Sequence, residues 1–116
     1  MTLHGGPGAT HEYLECFEDF LPQLGVEFYY YDQLGSHYSD QPTDSSLWKL
    51  PRFVEEVEDV RRELGLDGFY LYGHSWGGML AIEYALAHCD RLKGLIVSDM
   101  TASCLSFYSP RAPARR

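Results

Sequence analysis

Residues 69–88 constrain this chain more than any other stretch. Phe69-Tyr70-Leu71-Tyr72 has the composition of a short strand. Gly73-His74-Ser75-Trp76-Gly77-Gly78 follows at once, and the next ten residues are apolar almost all round. Such a segment reads as a buried helix. No residues are left for a loop, so the strand must turn directly into the helix. A turn that abrupt holds its central residue in a strained backbone conformation. The residues two positions away must lack bulk, hence Gly73 and Gly77. The Ser75 hydroxyl then stands above the C-terminal edge of a sheet, and the Trp76 amide opens the helix, where it can face a developing negative charge. The bare G-x-S-x-G pattern also occurs as a glycine-rich turn with an incidental serine. The flanking strand and helix are the context that a serine nucleophile requires.

The remaining elements alternate in the same way. Met1-Thr2-Leu3 reads as the end of a strand entering the tight loop His4-Gly5-Gly6-Pro7-Gly8. Thr10 is placed to cap a helix carrying Tyr13, Leu14, Phe17, Phe20, Leu21 and Leu24, with Gly25 as its stop. Val26 to Tyr31 is a continuous aromatic and β-branched run, the pattern of a strand buried on both faces. Pro51 suits a first helical turn. Phe53, Val57, Val60 and Leu64 then mark an amphipathic helix ending at Gly65. Leu95-Ile96-Val97 is the last strand. Strands are expected near residues 1–4, 26–32, 68–73 and 94–99. The fold class is α/β, a parallel sheet with helices on both faces. After about residue 103 the composition shifts to Ser, Pro, Ala and Arg, so 1–103 is expected to be the core and 104–116 an irregular tail.

In the loop His4-Gly5-Gly6-Pro7-Gly8, small residues let the backbone approach a ligand closely. Pro7 has no N–H, and Gly6 is the best candidate for a donor. Alone, this stretch is an ordinary strand-to-helix turn. Together with G-x-S-W-G-G, and with Asp32-Gln33-Leu34-Gly35-Ser36 after the second strand, it resembles the prolyl aminopeptidase (proline iminopeptidase) family of the α/β-hydrolase fold. His37 departs from the family's D-Q-x-G-x-G-x-S pattern, while Ser39 matches it. The resemblance covers roughly residues 1 to 103 and implies a partial α/β-hydrolase core. It implies Ser75 as nucleophile and the amides of Gly6 and Trp76 as the oxyanion hole. The other motif positions, His4, Gly5, Pro7, Gly8, Asp32, Gln33, Gly35, Gly73, His74, Gly77 and Gly78, support them. It also implies release of an N-terminal residue, often proline, from a peptide or amino-acid amide, with no cofactor and no metal. Other members act on amides or esters.

Charge and cysteine content agree with this picture. The chain has 116 residues, 45% of them hydrophobic, and a net charge of −8. Three of its nine basic residues, Arg111, Arg115 and Arg116, sit at the extreme C-terminus. The rest of the surface repels phosphate backbones, which argues against nucleic acid as a partner. No apolar run is long enough to span a bilayer. Cys16, Cys89 and Cys104 are odd in number and lack C-x-x-C spacing, which fits a reducing, cytoplasmic compartment.

A serine hydroxyl needs a positioned base. In α/β-hydrolases the order is Ser, then Asp or Glu, then His. After Ser75 the sole histidine is His88, far down the helix; Asp90 and Asp99 follow. His4 and His74 read as structural or supporting residues. The chain is therefore expected to be the N-terminal core of a hydrolase without its first strands, cap, acid and base, inactive by itself. A non-catalytic remnant that binds small molecules or other chains is the alternative. Strands patterned for burial but left with open edges are expected to make the isolated chain self-associate.

Overall fold

A computed structural model describes residues 1–100; the expected boundary at 103, the tail 104–116 and Cys104 lie outside the described residues. Three strands form a parallel sheet in the order β1 (Thr2–Leu3), β2 (Phe69–His74), β3 (Leu92–Ser98). The α/β class is as expected. Two α-helices, α1 (Leu50–Glu63) and α2 (Trp76–His88), fill the crossovers. Pro occupies the first turn of α1, and Gly65, at φ 64°, follows its end.

One face of the sheet packs on α1 and α2. Leu3, Val57, Leu71, Leu80, Ala81 and Tyr84 are fully buried there, joined by Met1, Phe53 and Phe69. Burying a Leu or Val side chain stabilises by about 1.5–3 kcal/mol relative to leaving it exposed, so this face supplies most of the apolar stabilisation. A polar network also ties the two helices. Arg61 donates through Nε and Nη2 to the two oxygens of Glu58, at 2.9 and 2.8 Å, and the Tyr84 hydroxyl donates to Glu58 Oε2 at 2.7 Å. These bonds, chiefly those from Arg61, hold the Glu58 carboxyl down at about 2.

Two expected elements differ. The segment after Thr10 is a 3-10 helix, Glu12–Asp19, followed by a second short one, Pro22–Leu24. His11, not Thr10, occupies the cap position, without a side-chain cap. The Thr10 hydroxyl is spent on Glu12 Oε2 at 3.0 Å. Gly25 does stop the second piece in the left-handed region, at φ 70°. The run Val26–Tyr31 makes one parallel bridge, Tyr30 to Thr2, and Val26 is exposed. It lies outside β1, which is two residues long and offers little edge to pair with. Among the described residues nothing pairs with its other side, so Phe28, Tyr29 and Tyr30 are only half-buried, while Tyr31 packs against the core.

Candidate active site

The end of β2 and the start of α2 build the elbow. Ser75 has φ 54° and ψ −120°, a conformation L-residues rarely adopt. Its N–H donates to the Ser98 carbonyl at the end of β3, at 3.0 Å. Its own carbonyl accepts from Gly78 and Met79 and so begins the helix. The space around the turn is closed. A Cβ on Gly73 would lie 2.2 Å from the Gly77 carbonyl oxygen, and one on Gly77 would lie 2.1 Å from that of Leu3. Those separations are impossible, so β1, β2 and α2 approach this closely only with glycine at both positions. Gly78 is buried, its α-carbon facing Met100.

The loop after β1 lies against this turn. A Cβ on Gly5 would be 3.2 Å from Ser75 Cβ and 3.3 Å from the His74 carbonyl oxygen. Gly6 takes φ 125°. His4 lies beneath the loop, fully buried. Its Nε2 accepts the Gln33 N–H at 3.0 Å, so its Nδ1 carries the proton and donates to the Gly5 carbonyl at 2.8 Å. The Ser36 hydroxyl also faces Nε2, at 3.2 Å. Burial pushes the His4 imidazole below its usual pKa, which favours this uncharged form. The Gly5 carbonyl and the Gly6 N–H belong to one planar peptide and point in opposite directions. Holding the carbonyl down therefore aims the Gly6 N–H away from His4.

His74 is saturated as well. The Gly5 N–H donates to the Tyr13 hydroxyl oxygen at 2.6 Å. That hydroxyl is 3.0 Å from His74 Nδ1, and His74 Nε2 is 3.0 Å from Asp99 Oδ2. With its oxygen accepting from Gly5, Tyr13 donates to Nδ1, which leaves the Nε2–H for Asp99. Burial raises the Tyr13 pKa, keeping the proton that this chain of bonds requires. Asp99 stands just past β3 with φ 49°. His88 closes α2, thirteen residues beyond Ser75, on the order of 20 Å away at the helical rise. Its ring packs at 4.8 Å from that of Tyr84.

The third motif reaches both arms. Asp32 accepts the His11 N–H and faces His11 Nδ1, each at 2.9 Å. It supports the loop that leads into the 3-10 helix and does not touch Ser75. Gln33 is buried, its side chain lying between His4 and Trp76. Gly35, at φ 88°, packs against the Trp48 ring. A cavity of about 350 Å³ opens here, with Pro7, Gly8, Gly35, Trp48, Phe53 and Trp76 in its wall. No ionisable side chain lines it. Among the described residues no cluster of three or more His, Cys, Asp or Glu side chains could hold a metal ion, and no helix is long and apolar enough to cross a membrane.

Tyr13 and the bridging role of Gln33 were not anticipated. Tyr13 looks like one more apolar position of a helix, and its partner His74 is 61 residues away.

Known proteins resemble this chain in sequence and in fold. The proline iminopeptidases of Flavobacterium johnsoniae and Elizabethkingia meningoseptica are each 61% identical over 105 residues, which is 89% of this chain and 35% of theirs. The crystal structure of the Mycobacterium smegmatis proline iminopeptidase matches with a TM-score of 0.82 at 34% identity, covering 88% of this chain and 35% of that one. The chain thus spans about a third of the length of the relatives it matches. A family model described as the alpha/beta hydrolase fold matches residues 1–115. Elbow, loop and sheet together with that match place the chain in the α/β-hydrolase fold family, with proline iminopeptidases among its similar relatives.

Proposed function

We propose that this chain carries the nucleophile of a serine hydrolase of the proline iminopeptidase type. The reaction releases an N-terminal residue, often proline, from a small peptide or amino-acid amide. Ser75 Oγ attacks the scissile carbonyl carbon and gives up its proton to a base. The amides of Gly6 and Trp76 receive the oxyanion. The C–N bond then breaks, the amine leaves with the proton, and water hydrolyses the acyl-enzyme. Donors must stand ~2.7–3.1 Å from the oxyanion to stabilise it. The observation that carries this reading is the left-handed Ser75 at a strand-to-helix elbow, with the Gly5–Gly6 loop packed on it. The apolar cavity beside Trp76 suits an uncharged side chain of the substrate. The acidic surface suits a cationic amino terminus and no nucleic acid, and the odd cysteine count without C-x-x-C spacing suits a cytoplasmic setting.

None of His4, His11, His74 and His88 offers Ser75 a base: among the described residues, the ring nitrogens of the first three are engaged elsewhere, and His88 is remote. By itself, residues 1–116 should turn over proline substrates negligibly. The saturated His74 is also what favours the second reading, a non-catalytic remnant.

The test uses two proteins, the chain itself and a chimera. In the chimera, this chain's residues replace the 105 matched residues of the Flavobacterium johnsoniae relative. The chimera should release proline from a proline anilide, and Ser75→Ala should abolish that release, while the chain alone gives none. Release by the chimera that survives Ser75→Ala would overturn the nucleophile. A folded chimera without turnover would favour the remnant. Rapid, Ser75-dependent release by the chain alone would refute its inactivity.

A further inference from the structure

Gln33 makes four hydrogen bonds: its carbonyl accepts the Ser36 N–H within its own turn, at 2.9 Å, and the other three end on the two segments that meet at Ser75. Its side-chain Oε1 accepts the Trp76 Nε1–H at 2.9 Å. Its Nε2 donates to the His4 carbonyl at 3.0 Å. Its main-chain N–H donates to His4 Nε2 at 3.0 Å. The residue is 1% exposed.

The two side-chain bonds define the amide uniquely, since one end must accept and the other donate; a flipped amide would set two donors and two acceptors against each other. Through Oε1, Gln33 holds the indole of the residue whose own main-chain amide opens α2. Through Nε2, it holds the carbonyl at the start of the glycine loop. Through its main chain, it fixes the His4 tautomer that pins the Gly5 carbonyl and thereby turns the Gly5–Gly6 peptide. One buried side chain thus spans two segments 72 positions apart, His4 and Trp76.

We propose that Gln33 is a positioning residue that sets the Gly6 and Trp76 amides relative to each other. This rests on the reading of those amides as oxyanion donors. Gln33 touches no reacting atom; it acts through His4 and Trp76. Losing it leaves the Trp76 Nε1–H and the His4 carbonyl without partners in a buried place and frees the two arms to drift. An ångström of drift in a donor is enough to cost catalysis heavily.

Two variants of the chimera test the idea. Gln33→Met keeps length and burial and loses both side-chain bonds. Gln33→Glu, once protonated, is a close replica of glutamine, with C=O accepting from Trp76 and O–H donating to His4. Ionised, it sets a carboxylate against the His4 carbonyl. The expected result is a fall in kcat of roughly 10- to 100-fold for Gln33→Met with KM little changed, a smaller loss than that of a whole oxyanion donor. Gln33→Glu should match that loss at alkaline pH and regain activity relative to the parent as pH falls. His4 touches this site, Asp32, His11 and Glu56 act electrostatically on His4, and the parent run in parallel carries the same groups.

In the same samples, labelled with ¹⁵N-Gly and ¹⁵N-Trp, the Gly6 and Trp76 main-chain amide signals should move together in both variants. These signals score the coupling without any turnover. An unchanged kcat in Gln33→Met with only a lowered Tm would overturn the proposal. So would an indole signal that moves while the Gly6 and Trp76 amides stay fixed. Failure of the underlying reading looks different: the chimera then stays active with Ser75→Ala, or folds without turnover even with Gln33 intact.

Discussion

The two faces of the sheet are built from the same strands and fare differently. On the α1–α2 face, Leu3, Leu71 and Leu80 have no exposed surface, and Glu58, Arg61 and Tyr84 pair with one another. On the other face, Phe17 packs edge-on against Tyr72 at 5.3 Å, yet Tyr70 is 60% and Ile96 51% exposed. A cavity of about 520 Å³ opens there, its wall including Phe17, Val26, Tyr70, Tyr72 and Ile96. The difference lies in what lies on top. A 14-residue and a 13-residue α-helix cover the first face, while the second has two short 3-10 helices at one side. Apolar composition marks a residue as able to be buried; only a neighbour buries it.

The contrast is open to attack. Leu80→Ala removes a fully buried side chain from the covered face and should cost about 2–5 kcal/mol, read by urea unfolding. A cost under about 1 kcal/mol would mean that the covered face is as loosely built as the other. Tyr84→Phe should cost about 1.5–3 kcal/mol, because it removes a hydroxyl that donates to a charged carboxylate.

Acid probes the same network. The folded Glu58 carboxyl is held down at about 2 by its bonds from Arg61, below its ordinary value of 4.5. Its contribution is therefore complete above the unfolded value and is lost as pH falls from about 4.5 towards 2. Glu58→Gln should flatten the stability profile across that window; an unchanged profile would remove Glu58 as its source.

The smallest effect on stability belongs to the open face. Tyr70→Ser should change it by no more than about 0.5 kcal/mol. Its effect should appear in sedimentation, since the open face and the edge of β3 that is unpaired among the described residues favour self-association. A monodisperse parent chain would show that this face needs no cover.

The elbow was legible in the sequence because everything that makes it is local: a strand, two glycines two positions from a serine, and a helix, within 20 residues. Gly25 and Gly65 were legible as stops for the same reason. The burial of Val26–Tyr31 was not, since it depends on which strands stand beside it. Nor were the bonds from Tyr13 to His74 and from Gln33 to Trp76, which join residues 61 and 43 positions apart. The 3-10 form of Glu12–Asp19 also escaped, because i, i+3 and i+4 spacings of apolar residues look alike in both helix types over so short a stretch.

Gly73 and Gly77 carry a consequence for anyone varying this molecule. Each would drive a β-carbon to within about 2.2 Å of a carbonyl oxygen of the scaffold. The obstacle is backbone on both sides, so no rotamer choice relieves it and no compensating side-chain change elsewhere restores the space. A library diversified across the elbow should return glycine alone at these two positions under any selection for the fold, whether or not that selection asks for catalysis. His74 and Trp76, by contrast, are held by side-chain hydrogen bonds that other residues can imitate. Sequence variation at the elbow is thereby confined to the positions that flank the serine directly.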